Sequence, residues 1–117
     1  GAIVKSLVFK SPGNKLYYLC LVSGDKFISL KKLSFIINDE IEKASANEVK
    51  DHTGYSIGGV PPIGHMHPPN QIYIDSNLNL FKTIYAAAGH PYVVFGITFE
   101  QICQITNGKV SDIVVEK

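Results

Sequence analysis

The sequence contains no arginine, since all eleven of its basic residues are lysine. Any phosphate that meets this protein would therefore face ammonium groups and backbone amides, without the bidentate fork of a guanidinium. No apolar run approaches the roughly 20 residues that a membrane-spanning helix needs. A formal net charge of +1 with 18% charged residues is untypical of a disordered chain or a strongly basic nucleic-acid module. We therefore expect neither a membrane nor DNA among its partners.

Cysteine is also scarce, with one residue at Cys20 and one at Cys103, each in an apolar stretch and without a CxxC spacing. This pattern predicts two buried free thiols in a reducing compartment. The chain opens on residues 2–4, which are Ala-Ile-Val, without the regions of a secretory leader, so we expect a cytoplasmic protein. A length of 117 residues predicts a single domain, 1–117.

Periodicity and turn residues predict several short strands. β-Branched and aromatic residues predict strands at 3–9 and 16–22, and a tight turn then leads into a short strand at 26–29. The first thirty residues therefore indicate an antiparallel meander. Further strands are predicted at 71–74, 83–87, 92–96 and 109–115. The strands at 83–87 and 92–96 are joined across residues 89–91.

Helices are predicted at three places between these strands. Apolar spacings of three and four predict one at 30–37. Two capping boxes, Ser45 with Glu48 and Thr98 with Gln101, begin two more, which end at Gly54 and at residues 107–108. Together the elements predict an α+β fold with a mixed, largely antiparallel central sheet flanked by helices.

Lys5 interrupts an otherwise apolar stripe. With a period of two, it shares one face of the first strand with Ile3, Leu7 and Phe9. Two structural explanations remain open. The strand is buried on its other face, or the aliphatic part of Lys5 lies along the surface with its ammonium in water. The functional alternative is that a partly desolvated amine acts as a base or as a charge directed at a reaction centre.

A loop rich in glycine and proline follows the second predicted helix. Eight of the sixteen residues at 54–69 are Gly or Pro, and loops of this length in small domains are usually functional or disordered. Apolar residues and prolines favour a rigid backbone cradle for a ligand, with a plain rigid connection as the alternative. In such a cradle Gly59 and Val60 have N–H groups to donate, whereas Pro61 and Pro62 have none.

His65 and His67 raise the question of a metal site, but their spacing is weak evidence for one. No HExxH, CxxC or nearby acidic pair accompanies them, so we expect no metal, and their roles stay open. Nucleophilic catalysis is also disfavoured, because there is no GxSxG elbow and Cys20 lies within a strand. No phosphate-binding glycine fingerprint is present, and we expect no cofactor.

Five segments, taken in order, resemble the YbaK/EbsC family of aminoacyl-tRNA deacylases and prolyl-tRNA synthetase editing domains. They are IVKSLVF at 3–9, TGYSIGGVPPIG at 53–64, YID at 73–75, AAAG at 86–89 and GKVSDI at 108–113. The resemblance implies hydrolysis of the ester between a wrong amino acid and the 3′ end of a tRNA, with no metal and no covalent intermediate. Orientation and amide donors could suffice for such an activated ester.

The resemblance also assigns site residues. Lys5 matches the family's essential strand lysine and is the expected catalytic residue. The expected substrate-binding residues are Ser6, the loop residues Gly58, Gly59, Val60, Pro61 and Pro62, and the strand-end residues Ala87, Ala88, Gly89 and His90.

Two departures from the family qualify this assignment. The chain is expected to lack the N-terminal segment that adds part of the pocket wall in longer members. At the position of Ala87, several family members directed at cysteine have Ser. The amino acid removed is therefore left open among Ala, Cys, Ser and Thr. The tRNA that carries it is expected to be the one for proline or a related one. Recruitment by a tRNA synthetase or an elongation factor is expected. The alternatives are a binding module without turnover and an excised synthetase editing domain.

Overall fold

The structure is a computed structural model that describes residues 2–90 and 92–116. Its strands are β1 (Ala2–Ser11), β2 (Leu16–Ser23), β3 (Glu42–Lys43), β4 (Gln71–Asp75), β5 (Ile84–His90), β6 (Val93–Ile97) and β7 (Lys109–Ser111). Its helices are α1 (Leu30–Ile37), α2 (Ala46–Thr53) and α3 (Phe99–Thr106), and a 3-10 turn covers Ser76–Leu80. Pro91, in the predicted 89–91 connection, and both ends of the predicted domain lie outside the described residues.

Local sequence signals account for the ends of the helices. At α2 the Ser45 hydroxyl accepts from the Glu48 amide, and the Glu48 carboxylate accepts from the Ser45 amide. Gly54 ends this helix in the left-handed conformation, at φ 86°. Thr98 and Gln101 begin α3 in the same reciprocal way. Both predicted capping boxes are confirmed.

The described strands form a mixed sheet in the order β6-β5-β1-β2-β4-β7, with β3 beside β1. β1 pairs antiparallel with β2 and β3, and β5 pairs antiparallel with β6. The pairings β1–β5, β2–β4 and β4–β7 are parallel. The predicted mixed α+β class is confirmed, and the longest pairing, β1 with β2, is antiparallel.

The predicted strand at 26–29 is wrong, and so is the meander that depended on it. Ile28 makes one isolated bridge, to Val114, and Ser29 caps α1 by accepting from the Lys32 amide. β2 instead takes β4 as its second neighbour. β7 ends at Ser111, earlier than predicted, because the chain beyond it pairs with residues 27–29 rather than continuing beside β4.

Apolar clusters cover both faces of the sheet. One cluster includes Val49 of α2 and Ile102 of α3, and the other includes Leu33 of α1. Helices therefore flank the sheet, as predicted, and they lie on both of its sides. None of the described helices has the length and apolar character needed to cross a bilayer.

β1 contributes to both clusters and so brings two polar side chains to the middle of the sheet. Val4 and Val8 belong to the cluster of α2 and α3, and Phe9 belongs to the cluster of α1. Because side chains alternate along a strand, Ser6 shares the face of the two valines and Lys5 shares the face of Phe9. β1 is thus buried mainly on the face opposite Lys5, because Ile3 on the Lys5 face is 63% exposed and only Phe9 of its apolar residues there is buried.

Candidate active site

The sheet leaves part of one edge of β1 open. On the side away from β2, this strand pairs with β5 at Ala2 and Ile3 and with β3 at Phe9 and Lys10. Between these pairings no described strand lies beside it. A cavity of about 290 Å³ lies at this opening, lined by Ile3, Val4, Lys5, Ser6, Leu7, Lys43, Ile57, Gly58, Val60 and Ala87. We call it the edge cavity.

Ser6 brings a buried hydroxyl without a partner to the edge cavity. Its Oγ is shielded from solvent and forms no hydrogen bond with any described residue. The Ser6 backbone N–H and C=O point toward the same open edge, because the Val8 carbonyl on that edge accepts from the Ala44 amide. Since buried polar groups are normally paired, this position is suited to a bound ligand.

Of the two loop amides that the sequence predicts as donors, Gly59 and Val60, only Val60 is left without an acceptor in the described chain. Gly58 has a φ of 88°, which glycine adopts at little cost, and Val60 is buried. The Gly59 N–H donates to the Ser56 carbonyl at 2.9 Å, so it is not free for a ligand. The Val60 N–H finds no acceptor among the described residues. The predicted pair of donors is therefore reduced to Val60.

Lys5 lies at the border of two cavities. It lines the edge cavity and also a neighbouring cavity of about 360 Å³ that includes Phe27. Its Nζ donates to the Lys26 carbonyl at 2.5 Å and lies 4.8 Å from the centre of the Phe27 ring. No described contact joins this ammonium to the loop at 58–62. An ammonium carries three protons, so two remain for a ligand after the bond to Lys26.

Lys43 is a site residue that the sequence pattern did not indicate. It lies opposite Phe9 in β3 and lines both cavities together with Lys5. The ionisable residues that line the edge cavity are thus two lysines, and no carboxylate of the described chain lines it. This charge favours a ligand that carries or develops negative charge. No local signal marks Lys43, because only the pairing of β3 with β1 brings it here.

Only the first residue of the predicted 87–90 segment lines the edge cavity. Ala87 does so, whereas Ala88 and His90 are exposed. Gly89, with a φ of 94°, lies against Tyr55, since a Cβ there would come within 3.1 Å of the tyrosine Cε1. Tyr55, which lies in the family-like segment at 53–64 but is not among the predicted site residues, therefore packs between the end of β5 and Gly64.

The histidines have partners within the protein. In the described chain, no group of three His, Cys, Asp or Glu side chains is arranged to hold a metal ion. His52 stacks on Tyr17 with 4.0 Å between ring centroids, and the Nε2 of His65 lies 2.7 Å from the Pro61 carbonyl oxygen. Burial lowers the pKa of both His52 and His65. His67 is exposed.

Both cysteines have free thiols. Cys20 is fully buried, as predicted, whereas Cys103 is only half-buried. Burial raises the pKa of each thiol. Because the thiolate is the nucleophilic form, neither side chain is suited to covalent catalysis.

Comparison with known proteins gives a family and several relatives. A family described as aminoacyl-tRNA editing domain matches residues 1–105. YwhH of Bacillus subtilis, an uncharacterized protein, is 33% identical over 108 residues, which are 92% of this chain and 68% of YwhH. EbsC of Enterococcus faecalis, whose proposed activity is that of a Cys-tRNA(Pro)/Cys-tRNA(Cys) deacylase, is 29% identical over 119 residues, covering 100% of this chain and 71% of EbsC.

A solved structure has the same fold. The crystal structure of a proposed trans-editing enzyme for prolyl-tRNA synthetase superposes with a TM-score of 0.92 at 37% sequence identity. The match covers 97% of this chain and 71% of that one.

Proposed function

This chain belongs to the aminoacyl-tRNA editing domain family, and on that basis we propose that it is a trans-editing hydrolase that deacylates mischarged aminoacyl-tRNA. The edge cavity carries the proposal, because it combines the unpartnered Ser6 hydroxyl, the unpartnered Val60 amide and Lys5. Such a set of donors suits a reaction in which the protein orients an activated ester and water attacks it.

In the proposed reaction, water adds to the ester carbonyl carbon, and the bond from that carbon to the ribose oxygen breaks. The ribose oxygen takes one proton of the water and leaves as a hydroxyl. The amino acid leaves as a carboxylate, and the second proton passes to solvent. Negative charge develops on the carbonyl oxygen, where we propose that the Val60 N–H stabilises it. The Lys5 ammonium would join it after its side chain turns from the Lys26 carbonyl toward the cavity. The Ser6 hydroxyl both donates and accepts, so we assign it to the substrate's amino group or the attacking water.

The dimensions of the edge cavity favour a small amino acid. Its volume of about 290 Å³ has to hold the aminoacyl group together with part of the ribose. Ile57, Val60 and Ala87 supply apolar walls. We therefore propose a side chain such as that of Ala, Cys, Ser or Thr, carried by tRNA for proline or a related tRNA. Apolar pockets discriminate by only about 1–3 kcal/mol per methylene, so the preference among these is a matter for measurement.

The proposed macromolecular ligand is the acceptor end of the tRNA, bound in the cytoplasm during translation. Lys5 and Lys43 place positive charge at the edge cavity, where the terminal phosphates would approach. A formal net charge of +1 gives the protein little further attraction for RNA. We therefore propose that a tRNA synthetase or an elongation factor delivers the substrate.

The experiment that tests this function follows release of the amino acid from a panel of tRNAs mischarged with Ala, Cys, Ser or Thr. Lys5→Ala should lower kcat/KM by about 100-fold, the usual cost of losing one donor to a developing oxyanion. Lys82→Ala, which changes an exposed lysine, is the matched control and should match wild type. A wild-type rate equal to that of buffer on every tRNA would refute the hydrolase, and loss of activity with a chelator would refute the metal-free reaction.

A further inference from the structure

His65 does not line the edge cavity, yet it binds the backbone of the loop that does. Its Nε2 lies 2.7 Å from the carbonyl oxygen of Pro61. Pro61 directly follows Val60, whose N–H has no acceptor among the described residues. The imidazole therefore bonds the Pro61–Pro62 peptide group, which only the Val60–Pro61 peptide group separates from the amide that the proposed reaction uses.

Val60 lies between two backbone restraints. On its N-terminal side, the Gly59 N–H donates to the carbonyl three residues earlier. On its C-terminal side, the ring of Pro61 holds φ at about −65°, and the bond to His65 sets the direction of the Pro61 carbonyl. Without His65, the C-terminal end of this short segment would lose the hydrogen bond that anchors it, and the position of Val60 between the two restraints would be less well defined.

The surroundings of the imidazole decide which nitrogen carries the proton. Nδ1 is buried and has no partner among the described residues, so a proton there would be an unsatisfied buried donor. The Pro61 oxygen only accepts, which requires the proton on Nε2. Burial lowers the pKa of His65 and favours the neutral ring. Tyr55 packs edge-on against this ring, with 6.4 Å between centroids, and its hydroxyl donates to the Gly64 carbonyl at 3.4 Å.

We propose that His65 is a positioning residue for the deacylation, and that its neutral ring donates Nε2–H to Pro61 and so keeps the Val60 amide directed at the ester carbonyl. The part played in catalysis rests on the proposed function, whereas the restraint on the loop does not. Because the amide would act on charge that develops in the transition state, its displacement should lower kcat and leave KM nearly unchanged.

The test compares two substitutions of one residue. His65→Leu removes the donor and keeps an apolar side chain, whereas His65→Gln keeps an N–H donor of similar reach. His67→Leu, two residues along and exposed, is the matched control. Two experiments are made on each protein. Steady-state kinetics gives kcat and KM on the mischarged tRNA that wild type hydrolyses fastest, and NMR gives the hydrogen-exchange rate of the Gly59 amide.

We expect His65→Leu to lower kcat by about 10-fold, with KM within about 2-fold, and to speed exchange at Gly59 by about 10-fold, as for the loss of one hydrogen bond. His65→Gln should restore both quantities to within about 3-fold of wild type. His67→Leu should match wild type in both.

The outcomes separate this inference from the function on which it depends. If wild type hydrolyses no tRNA ester but exchange at Gly59 still responds to the two His65 variants as expected, the proposed function fails and the restraint on the loop stands. If wild type is active and His65→Leu keeps its kcat, the positioning role is overturned. Equal losses of kcat in His65→Leu and His65→Gln also overturn it, because they would show that ring packing, and not the donor, matters.

Discussion

Two serines of β1 should differ in how the same substitution changes the free energy of unfolding. The Ser11 hydroxyl donates to the carboxylate of Asp39, and Ser11 is fully buried. The Ser6 Oγ is buried as well, but it has no partner among the described residues. Ser6→Ala and Ser11→Ala each remove one oxygen and keep the Cβ, so they differ mainly in whether a hydrogen bond is lost.

The expected magnitudes follow from this difference. A buried hydroxyl without a partner costs about 1–3 kcal/mol, and water that enters the edge cavity offsets part of that cost. Ser6→Ala should therefore leave the free energy of unfolding unchanged or raise it by up to about 1 kcal/mol. Ser11→Ala should lower it by about 1.5 kcal/mol, because a bond to a charged acceptor is lost while Asn14 still donates to Asp39. The hydrogen bond from the Ser11 hydroxyl is the largest cause of the lowered pKa of Asp39. In Ser11→Ala this pKa should therefore rise toward its ordinary value.

Urea denaturation followed by far-UV circular dichroism measures both free energies, and the deacylation assay measures kcat/KM. Ser6→Ala should lower kcat/KM by about 10-fold without weakening the fold, since it removes a contact to the substrate. Ser11→Ala should weaken the fold and keep kcat/KM. A loss of more than about 1 kcal/mol in Ser6→Ala would refute the reasoning, because it would mean that the hydroxyl has a partner in the folded protein.

Acidification should test the ion pair of Lys10 and Glu48, whose hydrogen bond lowers the pKa of Glu48 from 4.5 to about 2. Between these values the unfolded chain binds the proton first, so stability should fall as the pH decreases. Thermal unfolding curves recorded at a series of pH values measure this decline in stability, and it should be smaller in Lys10→Met than in wild type. An equal decline in both proteins would contradict the prediction. Gly108→Ala would place a Cβ 2.8 Å from Ile74 Cδ1 and should lower the free energy of unfolding by about 1–3 kcal/mol in urea. Gly13→Ala meets nothing within 4 Å, and a matching loss there would refute the packing argument.

Features that depend on neighbouring residues could be predicted from the sequence. Ser45 and Glu48 satisfy each other's backbone groups across three residues, so the start of α2 needs no tertiary contact. The glycine and proline content of residues 54–69 indicated the loop in the same local way. The motifs within it and around Lys5 indicated the family, which the match over residues 1–105 confirms.

The sequence by itself therefore determined the capped helices, the β1–β2 hairpin, the loop and the unusual lysine at position 5. Only the tertiary structure decided that Ile28 bridges to Val114, and that β5 and β3 leave part of the edge of β1 open. This opening brings Lys43 and Ala87 to the same cavity as Ser6. The physical reason is that periodicity reports which face of a strand is apolar, whereas pairing along its edges depends on segments that are distant in sequence.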